Sequence, residues 1–517
     1  MLAQTHALAH IGANPHRVTI ETDAYNGLPG IKIVGLPSKA IEEARERLRS
    51  AIRNSGLEFL ARKYTINMAP ADIAKSGTGY ELAMAIGILV ATKQITSPTA
   101  ATCFIAELAL DGSLRPAKDC LASVLSAQDV GFDTIVVDPT TTIDPRLCQN
   151  ITIFRPNNLK ELYLHYINEK LLLPWRASGS KMVMATNNES ESDLSLVRGL
   201  SIAKRALEIA AAGHHNLLLV GPPGAGKTLL AHTLPTILPN ASLDDMREIY
   251  YLHSLANQAV PLTSSGRPFR APHHTASEIA IVGGGKYPRP GEISLAHHGV
   301  LFMDEFVEFP RSVLEALRQP IEDGHINISR AAESLTFPAD VLLVGAMNPC
   351  PCGYYGGQTG NCTCPASKIE RYLSRLSGPL LDRFDLICHI QPLSPTEWAE
   401  PMNESSSSIR KRVELAYTKQ LDRNGDPFVP NSRLPLSNFD TRLKLSRSTQ
   451  SQIQDHISTG RLSARGLTRS QKVARTIADL DGSTTVELDH LNEALYFKRH
   501  KLLDRNPAAT KVPARSY

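Results

Sequence analysis

Two adjacent carboxylates, a lysine, a threonine and four cysteines stand at spacings that matter chemically. The stretch Gly221-Pro222-Pro223-Gly224-Ala225-Gly226-Lys227-Thr228 follows the apolar run HNLLLV and opens the helical run TLLAHTL. Glycines at those places let backbone N–H groups turn inward around a phosphate chain, and the start of the next helix adds positive potential. Lys227 then reaches the terminal phosphates, and the Thr228 hydroxyl joins a Mg2+ shell. A Gly/Pro turn with an incidental lysine leaves Thr228 unexplained. Further along, GVLFMDE closes an apolar strand on Asp304 and Glu305. A carboxylate there holds Mg2+ through water, and the next one polarises the water that attacks a γ-phosphate. Alone, such a pair is more often a solvated strand end; beside a phosphate loop it assigns Asp304 to the metal and Glu305 to the base. The pattern calls for ATP and Mg2+ as cofactors.

Four of the eight cysteines fall between Met347 and Ser367: Cys350-x-Cys352, nine residues, then Cys362-x-Cys364. The intervening GYYGGQTGN is rich enough in glycine to loop back, so four thiolates can converge on one point, the tetrahedral preference of structural Zn2+. The Cys-x-Cys gap is tighter than the common two-residue one, and an iron–sulfur cluster or a pair of reversible thiol switches stays open. Cys103, Cys120, Cys148 and Cys388 are scattered and read as small buried side chains. His273, His274, His297 and His298 invite a metal reading, but no cysteine or carboxylate pattern joins them, so structural or phosphate-adjacent roles are preferred.

These residues need a frame. Residues 1–178 alternate β-rich runs (RVTIET, IKIVGL, YTINMA, TIVVD) with helical ones, including one at 38–54 with Ser38 as N-cap and Gly56 as stop. An α/β domain is expected there. The polar, Ser- and Asn-rich segment 179–195 reads as a linker. Residues 196–395 form a second α/β domain whose near-continuous apolar strands (HNLLLVG, GVLFMDE, VLLVGAMN, LICHIQPL) belong in a parallel sheet covered on both faces. The cysteines sit in it as an insertion at 350–364. A second linker at 396–410, a helical lid at 411–500 and a basic tail at 501–517 complete the chain. A chain of 517 residues exceeds one core, and 55 Lys plus Arg against 51 Asp plus Glu leaves a weak overall field, so any polyanion site must be local. The start has no basic and apolar leader, and the longest apolar run, Ala83 to Ala91, is far below a membrane span. A cytoplasmic protein without membrane contact is expected.

In this order, VLLVGAMNP, LLDRFDLI and RLSARGLTR resemble the sensor-1 strand, arginine-finger segment and sensor-2 helix of AAA+ ATPases of the magnesium-chelatase and minichromosome-maintenance branch. The resemblance implies that Asn348 positions the lytic water, that Arg383 reaches a neighbouring subunit's nucleotide, and that Arg465 touches the γ-phosphate. A finger supplied in trans implies a ring, a homo-hexamer. RPFRAPHHTAS, PGEISLAHHGVLF, GAMNPCPCG and LSARGLTRSQKVARTIADL also stand in the order of the ComM/YifB family, and the likeness covers essentially the whole chain. The family implies an ATP-driven DNA motor, a helicase that promotes branch migration when incoming DNA recombines during natural transformation. In the residues themselves, Lys286 and Arg289 lie in the Gly/Pro-rich VGGGKYPRPG, and EDGHINISRAAESLTFPADVLL reads as a hairpin with Arg330 in its loop. Such loops can meet DNA phosphates without regard to sequence, or be plain solvated charges. The N-terminal domain resembles the ribosomal-S5-like fold shared with the Lon protease, but AKSGTGYELAMA carries Lys75 and Ser76 adjacent and outside the expected nucleophile pattern, which argues against proteolysis. Rival expectations are a magnesium-chelatase-type metal-insertion motor and a protein-remodelling machine. A non-enzymatic scaffold does not fit the intact Lys227, Asp304 and Glu305.

Overall fold

A computed structural model describes residues 2–498 apart from 36–38, 72, 74, 76–77, 149, 176–192, 261–262, 286–287, 330–333, 357–361, 395–396, 399–403, 426–428, 438 and 460–462. Ser38, Ser76, Lys286, Arg330, most of the linker at 179–195 and the tail at 501–517 lie outside the described residues.

The N-terminal part is a mixed seven-stranded sheet, in agreement with the α/β expectation. Its strands are β1 (Leu2–Ile11), β2 (Asn14–Tyr25), β3 (Gly30–Val34), β4 (Lys63–Ala69), β5 (Thr102–Ile105), β6 (Thr134–Val137) and β7 (Thr152–Phe154). Their order across the sheet is β3-β4-β2-β1-β5-β6-β7. β1 and β2 form a long antiparallel hairpin with Ile11 opposite Asn14, and β2 alternates buried and half-buried positions as a strand with one covered face must. That covering is the helix Glu81–Ala91, ELAMAIGILVA, which is buried all round. It approaches the sheet closely at Gly87, where a Cβ would stand 2.6 Å from the Thr22 Oγ1. Its one charge, Glu81, is paired with Arg47 and accepts the Leu108 N–H at 2.9 Å.

The central part holds the parallel sheet. Its strands are β8 (Leu217–Val220), β9 (Phe269–Arg270), β10 (Val300–Met303), β13 (Leu342–Met347) and β14 (Leu386–His389), ordered β9-β10-β13-β8-β14. An antiparallel hairpin, β11 (His325–Ser329) with β12 (Ser334–Pro338), leads into β13. Every residue of β8, β10 and β13 is buried, because both faces are covered. One face packs on Leu207, Ala210, Val473 and Ile477, the other on Phe306, Val313 and Phe384. At the N-terminal ends of the strands, Asn216 ties three of them together. Its Oδ1 accepts from Leu343 N at 3.0 Å, its Nδ2 donates to Arg383 O at 3.1 Å, and its N–H donates to Asp385 Oδ2 at 3.2 Å.

Helices Ser406–Asn424, Ala464–Leu480 and Leu488–Lys498 make up most of the C-terminal part. The first begins inside the segment 396–410 expected to be a linker. The serine run there is a helix start: Ser405 is the N-cap, and its side chain accepts from Ser408 N. The N-terminal and central parts meet at helix Leu243–Leu255. The Tyr251 hydroxyl donates to Ala13 O at 2.9 Å and lies 3.1 Å from His10 Nδ1, while Ile11 and Ala13 pack on Leu252, Leu335 and Phe337. No described helix is long and apolar enough to cross a membrane.

Candidate nucleotide site and thiol cluster

The C-terminal ends of β8, β10 and β13 bring five expected site residues together. After Val220 the chain turns through Gly221 to Gly226, with Gly224 at φ +76° and Gly226 at φ +85°, left-handed conformations that a glycine adopts without strain. Lys227 opens the helix Lys227–Thr233, and its Nζ donates to Gly221 O at 2.7 Å, Pro222 O at 2.8 Å and Asn348 Oδ1 at 3.0 Å. Burial lowers the Lys227 pKa, and the Asp304 charge opposes that shift. The Thr228 hydroxyl donates to Asp304 Oδ2 at 2.8 Å, so one hydroxyl and one carboxylate share a corner, a hard-oxygen pair suited to Mg2+. Asp304 Oδ1 accepts the Glu305 N–H at 2.8 Å. Glu305 itself sits at φ +50°, unusual for a residue with a side chain, and its Oε2 is 3.1 Å from His274 Nδ1. Polar groups, a cation and two carboxylates thus converge where a phosphate chain would lie along the loop and the helix start.

Arg383 and Arg465 stand elsewhere. Both guanidiniums pair with Glu322, Arg383 through Oε2 and Arg465 through Oε1, and Arg383 Nη1 also donates to Pro379 O at 2.9 Å. Arg383 precedes β14, which runs parallel to β8 with Leu217 opposite Leu386 and Val220 opposite His389. It therefore lies at the N-terminal ends of the strands, whereas the phosphate loop leaves their C-terminal ends. Four residues at 3.3 Å each separate these edges by ~13 Å. Among the described residues, one carboxylate, Glu322, faces these two guanidiniums, a locally positive corner suited to an anion.

Of the candidate DNA contacts, Arg289 is described: it is exposed, in a two-residue ribbon pairing Gly284 with Arg289. The histidine pairs find partners that composition does not reveal. Glu248 Oε2 lies 2.8 Å from His297 Nε2 and 3.0 Å from His298 Nε2. His297 Nδ1 accepts the Asp340 N–H at 2.9 Å, which puts the ring proton on Nε2 as a donor to Glu248 and leaves no lone pair for an ion there. Sequence reasoning missed Glu322, Glu248 and the contact of His274 with Glu305. The first two carry no spacing signature. The third follows once β9 is known to run beside β10.

The four thiols converge. Cys350 Sγ lies 3.3 Å from Cys352 and 3.7 Å from Cys362, Cys352 lies 3.6 Å from Cys362, and all four sulfurs, Cys364 included, fall within 4.8 Å of one another. None is in a disulfide. A tetrahedral Zn2+ with bonds near 2.3 Å asks for sulfurs about 3.8 Å apart, so the donor set fits the ion in number, chemistry and spacing. The Tyr354 backbone N–H, then the Cys350 thiol, bring Cys352 down to about 6. The scattered cysteines Cys103, Cys120 and Cys388 are buried and Cys148 is half-buried; burial pushes Cys120 and Cys388 up to about 12.

Residues 193–398 match the family model described as magnesium chelatase, subunit ChlI; residues 20–141 and 403–498 match two further models, for subunit ChlI of Mg-chelatase and for its C-terminal part. YifB of Salmonella typhimurium is 42% identical over 502 residues, covering 96% of this chain and 97% of that protein. The competence protein ComM of Haemophilus influenzae is 41% identical over 502 residues, with the same coverage. The chain belongs to the ComM/YifB family of magnesium-chelatase-like ATPases. A more distant likeness reaches DNA replication licensing factor mcm7-B of Xenopus laevis, 24% identical over 58% of this chain and 39% of that protein. For a ComM/YifB ATPase the arrangement at the strand ends has a direct chemical sense. Lys227 is joined to Asn348, Thr228 to Asp304 and Glu305 to Asp304, so a cation, a hydroxyl, an amide and two carboxylates of the kinds that phosphate and metal binding use stand at one set of strand ends.

Proposed function

We propose that this protein is a ring-shaped, ATP-driven DNA motor, a homo-hexamer that promotes branch migration when incoming DNA recombines. The observation that carries this reading is the placement of Arg383 and Arg465 at the sheet edge opposite the phosphate loop. A cation needed at a γ-phosphate, yet paired with Glu322 near the far end of strands ~13 Å long, serves the pocket of a neighbour. Both arginines then leave Glu322 for the neighbour's nucleotide, and each subunit's hydrolysis is tied to the next. Lys227 and the loop Gly221–Gly226 bind ATP, Thr228 and Asp304 hold Mg2+, Glu305 is the base, Asn348 orients the water, and the four cysteines take a structural Zn2+. The competence name of one relative and the replication name of another support DNA as the polymer. Its contacts are backbone-directed, with Arg289 and the segments around Lys286 and Arg330 as the candidates.

The test is the ATPase rate with and without forked or four-way DNA, beside strand displacement by wild type and Lys227→Ala. DNA stimulation in the wild type, and no displacement by the variant, is the expected result. The match of residues 193–398 to a chelatase subunit favours a second reading, a metal-insertion motor. An ATPase indifferent to every DNA structure turns the assignment that way.

A further inference from the structure

The thiol cluster lies directly behind the phosphate loop. Gly353, the residue after Cys352, has φ +89°, and a Cβ on it would stand 2.4 Å from Pro223 Cδ and 3.2 Å from Pro223 Cγ. The backbone of the cysteine turn, closed by the Gly353 N–H donating to Cys350 O at 2.9 Å, is therefore pressed against the middle of the loop. The same segment also holds the loop's two ends. Gly221 N donates to Met347 O at 3.2 Å, and Lys227 Nζ donates to Asn348 Oδ1 at 3.0 Å. Within the seven residues from Met347 to Gly353, Met347, Gly353 and Asn348 touch the loop at its start, middle and end.

The other half of the cluster belongs to a different element. Cys362 and Cys364 precede the helix Ala366–Leu373, whose Ile369 is buried and whose Tyr372 and Leu373 pack on the core that contains Phe306 and Met347. Cys350 is fully buried at the end of β13. An ion bound by all four thiolates thus fastens the turn behind the loop to a helix anchored in the core. A bare Cys350–Gly353 turn rich in small residues has no comparable fastening, and close thiolates without a cation repel one another.

We propose that the Cys350, Cys352, Cys362 and Cys364 metal is a strut for the phosphate loop: a zinc ion held there sets the affinity of the neighbouring pocket for nucleoside triphosphate. The claim rests on the ATP-binding reading of that loop and is independent of the DNA reading. Metal and nucleotide are then linked reciprocally, so that ATP retards the loss of zinc by the same factor by which zinc tightens ATP.

The experiment uses the full chain. Elemental analysis should find one zinc per chain, with no absorbance near 400 nm; iron with that absorbance would overturn the identity of the metal. The zinc is then stripped with a thiol-compatible chelator and restored, circular dichroism checking the fold at each step. Binding of a fluorescent ATP analogue should weaken about tenfold or more on stripping and recover on restoring zinc. Amide hydrogen exchange across 221–228 should rise and fall in step, and saturating ATP should slow zinc release to the chelator. Gly353→Ala keeps the thiols and pushes the turn off Pro223, so it should bind zinc fully yet hold the analogue more weakly. Equal affinity and equal exchange in loaded, stripped and Gly353→Ala protein would overturn the strut while leaving the pocket intact. Failure of zinc-loaded wild type to bind the analogue would overturn the ATP reading itself.

Discussion

The junction between the parallel sheet and the C-terminal helices offers the sharpest quantitative test. Asp385 begins the approach to β14, is buried, and accepts from Arg469 Nη1 at 3.0 Å and from Asn216 N at 3.2 Å; its Oδ2 lies 3.5 Å from His215 Nδ1. Burial alone would push its carboxyl up, but the Arg469 charge, then His215 and Lys498, outweigh that and hold it at about 2. Relative to an ordinary aspartate near 4, two units at 1.36 kcal/mol each make the ionised form worth roughly 2–3 kcal/mol to the fold. Asp385→Asn keeps the shape and removes the charge, so it should cost about that much at pH 7. The sign follows from linkage. A depressed carboxylate stabilises fully above the unfolded value near 4 and loses this contribution as pH falls through about 2. His215, buried and also lowered, weakens the fold on acidification from about 6.5 downward, because the unfolded ring takes a proton that the folded one refuses. The variant should therefore keep the His215 slope and lose the Asp385 slope. Urea unfolding in a Trp175→Phe background reads the right part of the molecule, since Trp398 then remains as the sole tryptophan, stacked on Arg198 at 4.9 Å. Asp385→Asn within ~0.5 kcal/mol of its parent at pH 7 would refute the reasoning. It would mean that Arg469, four residues after Arg465, does not anchor the helix Ala464–Leu480 through this carboxylate.

Glu305→Gln should bind ATP as the parent does and hydrolyse it at least ~100-fold more slowly; normal turnover, measured by phosphate release, would remove Glu305 as the base. Arg383→Ala and Lys227→Ala should each be inactive alone. Mixed at equal amounts and re-assembled they should recover about a quarter of the parental ATPase, because one pocket in four pairs an intact loop with an intact finger. No recovery in mixed rings whose joint assembly is shown by size would refute the shared pocket. Gly87→Ala should destabilise the N-terminal part by about 1–3 kcal/mol in a thermal melt, since its methyl would meet the Thr22 hydroxyl at 2.6 Å; an unchanged melt would mean that helix and sheet are not so tightly packed.

How much of this was legible beforehand depended on how local each feature is. The phosphate loop is one contiguous run, and the apolar strands around it announce a sheet covered on both faces, so the loop, the Asp304–Glu305 strand and the Asn348 strand are all legible in the sequence. The thiol pairs were legible for the same reason, as two short spacings joined by a glycine-rich stretch. The serine run before residue 410 misled, because the side chains that mark a linker by composition also cap a helix, and only its first turn tells them apart. Glu322 was invisible. It pairs with arginines 61 and 143 residues away, and no periodicity links such distances.

The roles of Arg383 and Arg465 lie between these cases, and they bear most on mechanism. Their order in the chain resembles that of the AAA+ motifs, but order does not say which edge of the sheet a residue occupies. That comes from strand direction: β14 runs parallel to β8, so the residue before β14 and the residue after β8 are at opposite edges. A guanidinium held there by Glu322 is based at the strand ends opposite its own chain's phosphate loop. If the pocket hydrolyses ATP with such a cation, the cation arrives from outside, and the surface bearing Glu322, Arg383 and Arg465 is the one that meets the next subunit's pocket. Glu322 then has a definite task. It holds both arginines in place while that surface is uncovered, and yields them only to an anion of higher charge. Glu322→Gln should accordingly loosen Arg465 and Arg383 before assembly and make ATPase less dependent on protein concentration than in the parent. A concentration dependence identical to the parent's would show that the carboxylate is a bystander at that surface.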